Sequence, residues 1–431
     1  MKKTLLLFVF ALVAATGYAK EGMCDFIHFV DNIYYQYIDG QAWVSRCAHY
    51  GYEDEVIWEN NNYSGNLVIP ESVEGYTVVG ILSGAFTSCT ELTSISFPST
   101  IKTIGEDAFY NLTALTELTI PATIESIGDG AFKYSGLKKL TIADSDKPLK
   151  MGKGGTGNES MFSFQKVASL GEVYIGRPIE ITDGDKDLFY SCNIKKVTLG
   201  SAVTEITDGW FSGCDQLQQF TATDNLKRIG ERCFKNCKVL TDFTAGGLEE
   251  IGKEALCGCE KLNTLTCANI KTIGDEAFYS CSTIEWWNFT HCPLETIGKD
   301  AFCYNSSLKK LSLPATLKSI GDDGFYSCEA LESITCLATI PPTCGNWKVF
   351  RYLDTNKCKL IVPEGSVDAY KAADVWKDFF NIEATGIKQV SVNEDDAAQW
   401  YDLNGQRQAQ PRKGIVIKRQ ANGKISKVIV K

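Results

Sequence analysis

Histidine is almost missing from this chain. His28, His49 and His291 are the only three in 431 residues, and none stands at a spacing such as H-x-x-x-H that brings two imidazoles to one metal ion. The commonest metal ligand and general base is therefore scarce. Long hydrophobic runs are also lacking. The run Leu5–Ala15 is shorter than the roughly 20 residues that a membrane-spanning helix needs, and no later stretch reaches its length, so no transmembrane segment is expected. A basic stripe is lacking too. The net charge is −10, which argues against nucleic acid as a partner. The tail Gly386–Lys431 alone is basic, with nine Lys/Arg against four Asp/Glu, and reads as a separate unit.

Motifs that carry chemistry fare no better. Cys257-Gly-Cys259 is the nearest thing to a chelating pair, but zinc needs four converging ligands. His291 beside Cys292 sets a base next to a thiol, yet no third group is visible to orient it. The stretch Gly152–Gly157 lacks the Gly-Lys-Ser/Thr ending of a phosphate loop. The sequence reading is accordingly no enzyme, no cofactor and no metal site.

What the chain does have is a beat. Phe86, Phe109, Phe132, Phe164, Phe189, Phe211, Phe234, Leu256, Phe278, Phe302 and Phe325 recur every 22 to 25 residues, with one long step of 32 from Phe132 to Phe164. A fixed period of this size marks a solenoid. Each unit follows I-x-x-I-G-x-x-A-F-x-x-C-x-x-L-x-x-L-x-I-P, well seen in Ile101–Pro121. The alternating end, such as Leu118-Thr119-Ile120, predicts a short strand with Leu118 and Ile120 inward and Thr119 outward. The Ala-Phe-x-x-Cys part lacks alternation and predicts a short helical turn on the other side. The glycine four residues before the Phe (Gly105, Gly128, Gly274) suits positive φ or close contact between coils. Of seventeen cysteines, Cys89, Cys192, Cys214, Cys237, Cys259, Cys281 and Cys328 follow the repeat Phe (or Leu256) by three residues. They read as compact buried hydrophobes. One coil cannot bury its own Ile, Leu and Phe. About eleven coils, stacked about 4.8 Å apart in a parallel sheet, make a continuous core.

The segments Ile104–Phe109 and Ile273–Cys281 resemble the hallmark of the BspA-type, or Treponema-type, leucine-rich repeat family of bacterial surface proteins. The likeness covers about Val78–Pro363. It implies a leucine-rich repeat solenoid with a parallel β-sheet on one face, displayed at the cell surface, with adhesion to host matrix proteins among the family's roles. The Phe132–Phe164 step departs from the pattern, and there Asp144–Ser160 is expected to replace the I-x-x-I-G turn with a polar, glycine-rich loop.

The expected domains are a secretory leader at 1–19 (Lys2, Lys3, the apolar run, then Gly17 and Ala19), a β-rich cap at 20–77, the solenoid at 78–363, a helical cap at 364–385 and a small β domain at 386–431. In the helical cap, Ser366 is the expected N-cap of a helix reaching about Phe379. Cys24 with Cys47, and Cys344 with Cys358, are candidate disulfides. The tail, with Trp400–Gly405 and Gly414–Ile417 as strands and Asn-Gly turns at 404–405 and 422–423, resembles the sorting domains of the type IX secretion route. Val416 stands where that pattern usually has Tyr. The location implied is secreted or cell-surface, with surface anchoring through the tail.

Binding residues are sought on the outward strand positions. One column is largely threonine, which suits β-propensity and cross-strand packing. The other is irregular and supplies Lys139, Lys196, Asp242, Trp286 and Lys310. Trp286 and Tyr174 put large aromatics where small polar residues are usual. In Ile284–Phe289 the alternation points Trp287 and Phe289 inward and Trp286 outward, a candidate anchor for an extracellular protein or glycan.

Overall fold

The computed structural model describes residues 26–50, 56–58, 63–152, 164, 167–181, 188–385, 399–401, 407–408, 414–419 and 425–430. The chain divides into two units, 1–203 and 204–431. Both are parallel-strand solenoids with almost no helix, about thirteen turns in all. The extra two turns beyond the expected eleven come from Tyr63, whose ring meets Phe86 edge-on at 5.1 Å, and Phe350, which stacks on Phe325 at 5.6 Å.

Each full coil carries two strands. The sequence pattern revealed only the longer one. In the first unit, Glu117–Ile120, Lys139–Ile142, Glu172–Ile175 and Lys196–Leu199 pair in parallel and in register. A second ladder joins Tyr76–Ile81, Thr103–Ile104, Ser126–Ile127, Leu149–Met151 and Ile179–Ile181. Leu149–Met151 lies within the stretch expected to be a glycine-rich loop, so that expectation is corrected for these residues, where the coil keeps its strand; residues 153–160 of the stretch lie outside the described residues. Gly152 keeps the glycine position as well, since a Cβ there would lie 2.8 Å from the Asp129 nitrogen. At the start of this unit, Ile33–Ile38 and Gln41–Ser45 form an antiparallel hairpin, and the latter strand pairs in parallel with Tyr76–Ile81. Stacking on the longer-strand side begins with Ser64–Val68 against Glu91–Ser96.

In the second unit the short ladder runs from Glu205–Ile206 to Thr343–Cys344. The longer strands form Gln219–Thr221, Asp242–Thr244 and Thr264–Thr266, and then a separate ladder of Trp286–Asn288, Lys310–Leu313, Ser333–Cys336, Lys359–Val362 and Asn381–Ala384. The unit closes on a helix of six residues, Val367–Ala372, with Ser366 at its N-cap making no side-chain capping bond. The expected helix to Phe379 is instead broken at Ala373, and Trp376–Asp378 is a 3₁₀ turn. Trp376 and Phe379 both lie 5.3 Å from Phe350 and close the aromatic column. In the tail, Gln399–Tyr401, Arg407–Gln408, Gly414–Arg419 and Ile425–Val430 form an antiparallel sheet.

The third side of each coil is not helical. Residues two before and two after the Phe take positive φ, as in Asp107 (49°), Asn111 (59°), Glu276 (55°) and Ser280 (59°). These left-handed residues turn alternate N–H groups outward along the stack. Asp107, Phe109 and Asn111 donate to the carbonyls of Asp129, Ala131 and Lys133 in the next coil at 2.8–2.9 Å, while Tyr110 donates locally to Asp107 at 3.1 Å. The same alternation recurs at Glu276, Phe278 and Ser280, which donate to Lys299, Ala301 and Cys303. The donors of the turn are thus shared between local bonds and the next coil, which offsets the cost of left-handed backbone in non-glycine residues.

Aromatic stacking sets the interior. Phe86, Phe109, Phe132, Phe164 and Phe189 stack on one another at 5.2–5.4 Å, the first three pairs within 7° of parallel and the last at 22°. In the second unit Phe278, Phe302 and Phe325 do so at 5.2 and 5.0 Å. Of the two roles offered for the repeat glycine, close contact is the one realised. A Cβ on Gly105 would lie 2.4 Å from the Ser83 nitrogen, and one on Gly274 would lie 2.7 Å from the Gly252 carbonyl carbon. Neither glycine has a left-handed φ.

The cysteine column does more than fill space. The thiols of Cys192, Cys237, Cys259, Cys281 and Cys328 each donate to the carbonyl of the repeat Phe, or Leu256, in the preceding coil at 3.2–3.3 Å. Where Asn305 replaces Cys, its side-chain amide donates to the same carbonyl position, Phe278 O, at 2.8 Å. Burial pushes these thiols up, Cys192 to about 12 and Cys259 and Cys281 well above the ordinary value. They are inert donors. Cys344 and Cys358 carry free thiols, so that disulfide expectation is corrected; Cys24 lies outside the described residues.

This packing sets the outcome of two substitutions. Phe302→Ala should cost about 3–5 kcal/mol in chemical denaturation, as expected for an emptied aromatic site, whereas Phe302→Leu, which copies Leu256, should cost clearly less. Gly274→Ala should cost about 1–3 kcal/mol by forcing two backbones apart, and an equal-stability result would show that the coils do not need this contact.

Candidate functional site

The longer strands present the candidate residues, because inward Leu, Ile and Phe side chains fix the alternate positions outward. In the first unit the column reads Glu117, Lys139, Glu172, Lys196, each directly opposite the next. All four are exposed. Charges of opposite sign alternate, so each lysine stands beside a carboxylate, an arrangement worth a few tenths to about 1 kcal/mol per pair. Lys139 and Lys196 therefore belong to a charge-balanced ladder and form no basic patch.

Tyr174 lies in the neighbouring column and is only half-exposed. Its hydroxyl donates to Asp144 Oδ1 at 2.7 Å, and that bond raises the phenol above its ordinary range. A Cβ on Gly200 would lie 2.9 Å from the Tyr174 hydroxyl oxygen. The ring is held over a glycine floor with its polar end already engaged.

In the second unit Gln219, Asp242 and Thr264 stand in register. Both carboxylate oxygens of Asp242 accept threonine hydroxyls, from Thr264 at 2.9 Å and from Thr241 at 2.8 Å. Trp286 opens the next ladder, opposite Lys310, which in turn faces Ser333. The alternation read from the sequence holds: Trp287 and Phe289 are 3% and 2% exposed, Trp286 is 54% exposed. The indole N–H donates to Ser312 Oγ at 3.1 Å, which fixes the ring and leaves its surface to solvent. No backbone ladder joins Trp286–Asn288 to Thr264–Thr266 among the described residues, so Trp286 sits on the edge strand of its sheet. Of the two aromatics singled out by sequence, Trp286 is the open one.

One surface escaped the sequence reading. Tyr279, Tyr304, Tyr326 and Tyr352 form an edge-to-face series along the turn side, with centroids 5.3, 5.8 and 5.2 Å apart. Arg351 lies over Trp347 at 4.6 Å and over Tyr352 at 5.2 Å. The available signal was a Tyr one or two residues after the repeat Phe, but a helical reading of that turn points the two positions in different directions.

No three His, Cys, Asp or Glu side chains converge as a metal would require among the described residues, and no helix there is long and apolar enough to cross a membrane. Cys259 of the Cys-Gly-Cys pair is fully buried in the thiol column. His291 is exposed whereas Cys292 is buried, and the partner of that thiol is Cys267.

Comparison with known proteins bears on the repeat. The pattern of the BspA type leucine rich repeat region matches residues 60–151, 160–246, 183–302 and 240–346. No curated protein matches the chain. Similar solved structures include a leucine-rich repeat protein from Bacteroides ovatus, 20% identical over 84% of this chain and 100% of that one, with a TM-score of 0.36. A leucine rich cell surface protein from Faecalibacterium prausnitzii is 18% identical over 87% and 96%, with a TM-score of 0.33. The T. pallidum leucine rich repeat protein is 21% identical over 53% and 87%, also at 0.33. Superposition at this level adds nothing to the repeat match. That match spans well over half of the sequence and begins where Tyr63 starts the spine: the chain belongs to the BspA-type leucine-rich repeat family.

Proposed function

We propose that this protein is a non-enzymatic recognition or adhesion protein, secreted or held at the cell surface, that binds a host or matrix protein through its strand face. The observation that carries the reading is Trp286, an aromatic ring 54% exposed on a face made mostly of threonine, serine and other polar or charged residues. A large amphipathic ring held in place by one hydrogen bond loses little conformational entropy on binding and removes much apolar area from water. Such rings dominate the energetics of protein interfaces. Lys310 on the neighbouring strand supplies a polar contact beside it, while Asp242, two coils back with both carboxylate oxygens engaged, the balanced ladder of Lys139 and Lys196 and the engaged hydroxyl of Tyr174 contribute less. The repeat family supports a surface interaction role. A leader at 1–19 and a sorting tail at 386–431 complete the reading; residues 1–25 lie outside the described residues.

A second reading is favoured by the exposed aromatics themselves. Trp286 on the strand face, and Trp347 with the tyrosine series on the turn side, offer flat surfaces on which a glycan would stack. Binding of the purified protein to a panel of matrix proteins and to a glycan array separates the two. With a protein partner in hand, Trp286→Ala should weaken binding at least about tenfold, the loss of an interface anchor, with an unchanged thermal midpoint. Undiminished binding by Trp286→Ala would sink the strand-face assignment, and binding confined to the glycan array would select the second reading.

A further inference from the structure

The strand face is interrupted once within the second unit, between Thr264–Thr266 and Trp286–Asn288. Two cysteines flank this interruption. Cys267 directly follows the first strand and Cys292 follows the second by four residues. Neither belongs to the thiol column that bonds to the repeat carbonyls. The Cys292 thiol donates to the Cys267 carbonyl oxygen at 3.7 Å, which brings its sulfur to the Cys267 residue itself, and the two thiols influence each other's titration directly. The column thiols of Cys237, Cys259 and Cys281 have no exposed surface, whereas Cys267 is partly exposed.

We propose that Cys267 and Cys292 are a redox pair that closes to an intrachain disulfide, giving this coil junction a covalent link where the strand face lacks a backbone one. The two coils remain paired on the short-ladder side, Thr272–Ile273 with Thr296–Ile297, and the Cys292 sulfur 3.7 Å from the Cys267 carbonyl oxygen puts the two residues within the reach of a disulfide. The neighbouring Cys267 thiol favours the thiolate on Cys292 against the opposing effect of burial, and the N–H of Ile270 adds to it. In the presence of a low-molecular-weight or enzyme-borne disulfide, RSSR, the Cys292 thiolate attacks one sulfur and expels RS⁻. Cys267 then loses its proton and attacks the Cys292 sulfur of the mixed disulfide, expelling the second RS⁻. Two electrons pass from the pair to RSSR, and the two RS⁻ leave as thiols with the two protons. The link ties the coil bearing Trp286 to the one before it, independently of whether Trp286 is the binding anchor.

The test uses the full-length protein, reduced and then exposed to oxidised glutathione. After alkylation and trypsin digestion, the expected product joins Leu262–Lys271 to Thr272–Lys299 with the loss of two hydrogens. The second peptide holds both Cys281 and Cys292, so fragmentation must place the bond on Cys292. Cys292→Ser should abolish the linked peptide and Cys281→Ser should leave it. Should Cys292→Ser fail to fold, the wild-type protein supplies a second readout. Iodoacetamide should label Cys267 and Cys292 at least about tenfold faster than Cys237, Cys259 and Cys281, and prior oxidation should remove that labelling. A link through Cys281, or persistence of two alkylatable thiols under saturating oxidant, would overturn the proposal.

Discussion

Everything in this protein depends on one repeat distance. Phenylalanine rings stacked at 5.0–5.6 Å and strands hydrogen-bonded about 4.8 Å apart must advance together along each unit, coil after coil. The repeat glycines exist because of the same distance. At this spacing one strand's end passes so near the turn of the coil before it that even a methyl group would meet backbone. Hydrophobic burial drives the stack, but the backbone hydrogen bonds and these glycines dictate how close it is drawn.

That spine is readable in the sequence because a large apolar side chain returning at a fixed interval can leave water only by packing on its own copies. The choice between Trp286 and Trp287 is readable for a similar reason, since two buried neighbours of one parity leave no freedom for the third. The features that stay concealed do so on physical grounds. The second ladder is built from pairs such as Thr103-Ile104, too short for any alternation to show. The turn looks helical by composition because most of its left-handed residues are Asp, Glu, Ser, Asn, Tyr or Arg, and glycine takes these positions only here and there, as at Gly84, Gly130, Gly209, Gly213 and Gly258. Phe350 escapes the pattern because its glycine, Gly345, stands five residues ahead and Val349 replaces the alanine. Leu149–Met151 is masked by the polar residues around it, although its two buried side chains fill the same slots as Ile residues elsewhere.

For the face that meets solvent, repetition is uninformative and exceptions matter. The thread of alternating Glu and Lys in the first unit looks like a binding surface residue by residue, yet across the sheet it is self-neutralising. Asp242 and Tyr174 are similarly spoken for by threonine hydroxyls and by Asp144. Trp286 differs in that its neighbours restrain it without covering it. Its position coincides with the interruption of the strand ladder and with a thiol pair that departs from the column, so three departures from the repeat fall within a single coil and its predecessor.

The alternating turn has a further consequence. At the repeat Phe and the positions two residues to either side, N–H groups that leave their own coil reach forward to carbonyls of the later one. Among the described residues, none at these positions points back. The turn side of each unit is therefore a vectorial stack, with its carbonyls directed toward its beginning and its N–H groups toward its end. Its two ends are chemically unlike, and a segment that seals one would meet the wrong partners at the other. Growth or association of such a stack has a built-in head and tail, whatever side chains decorate it.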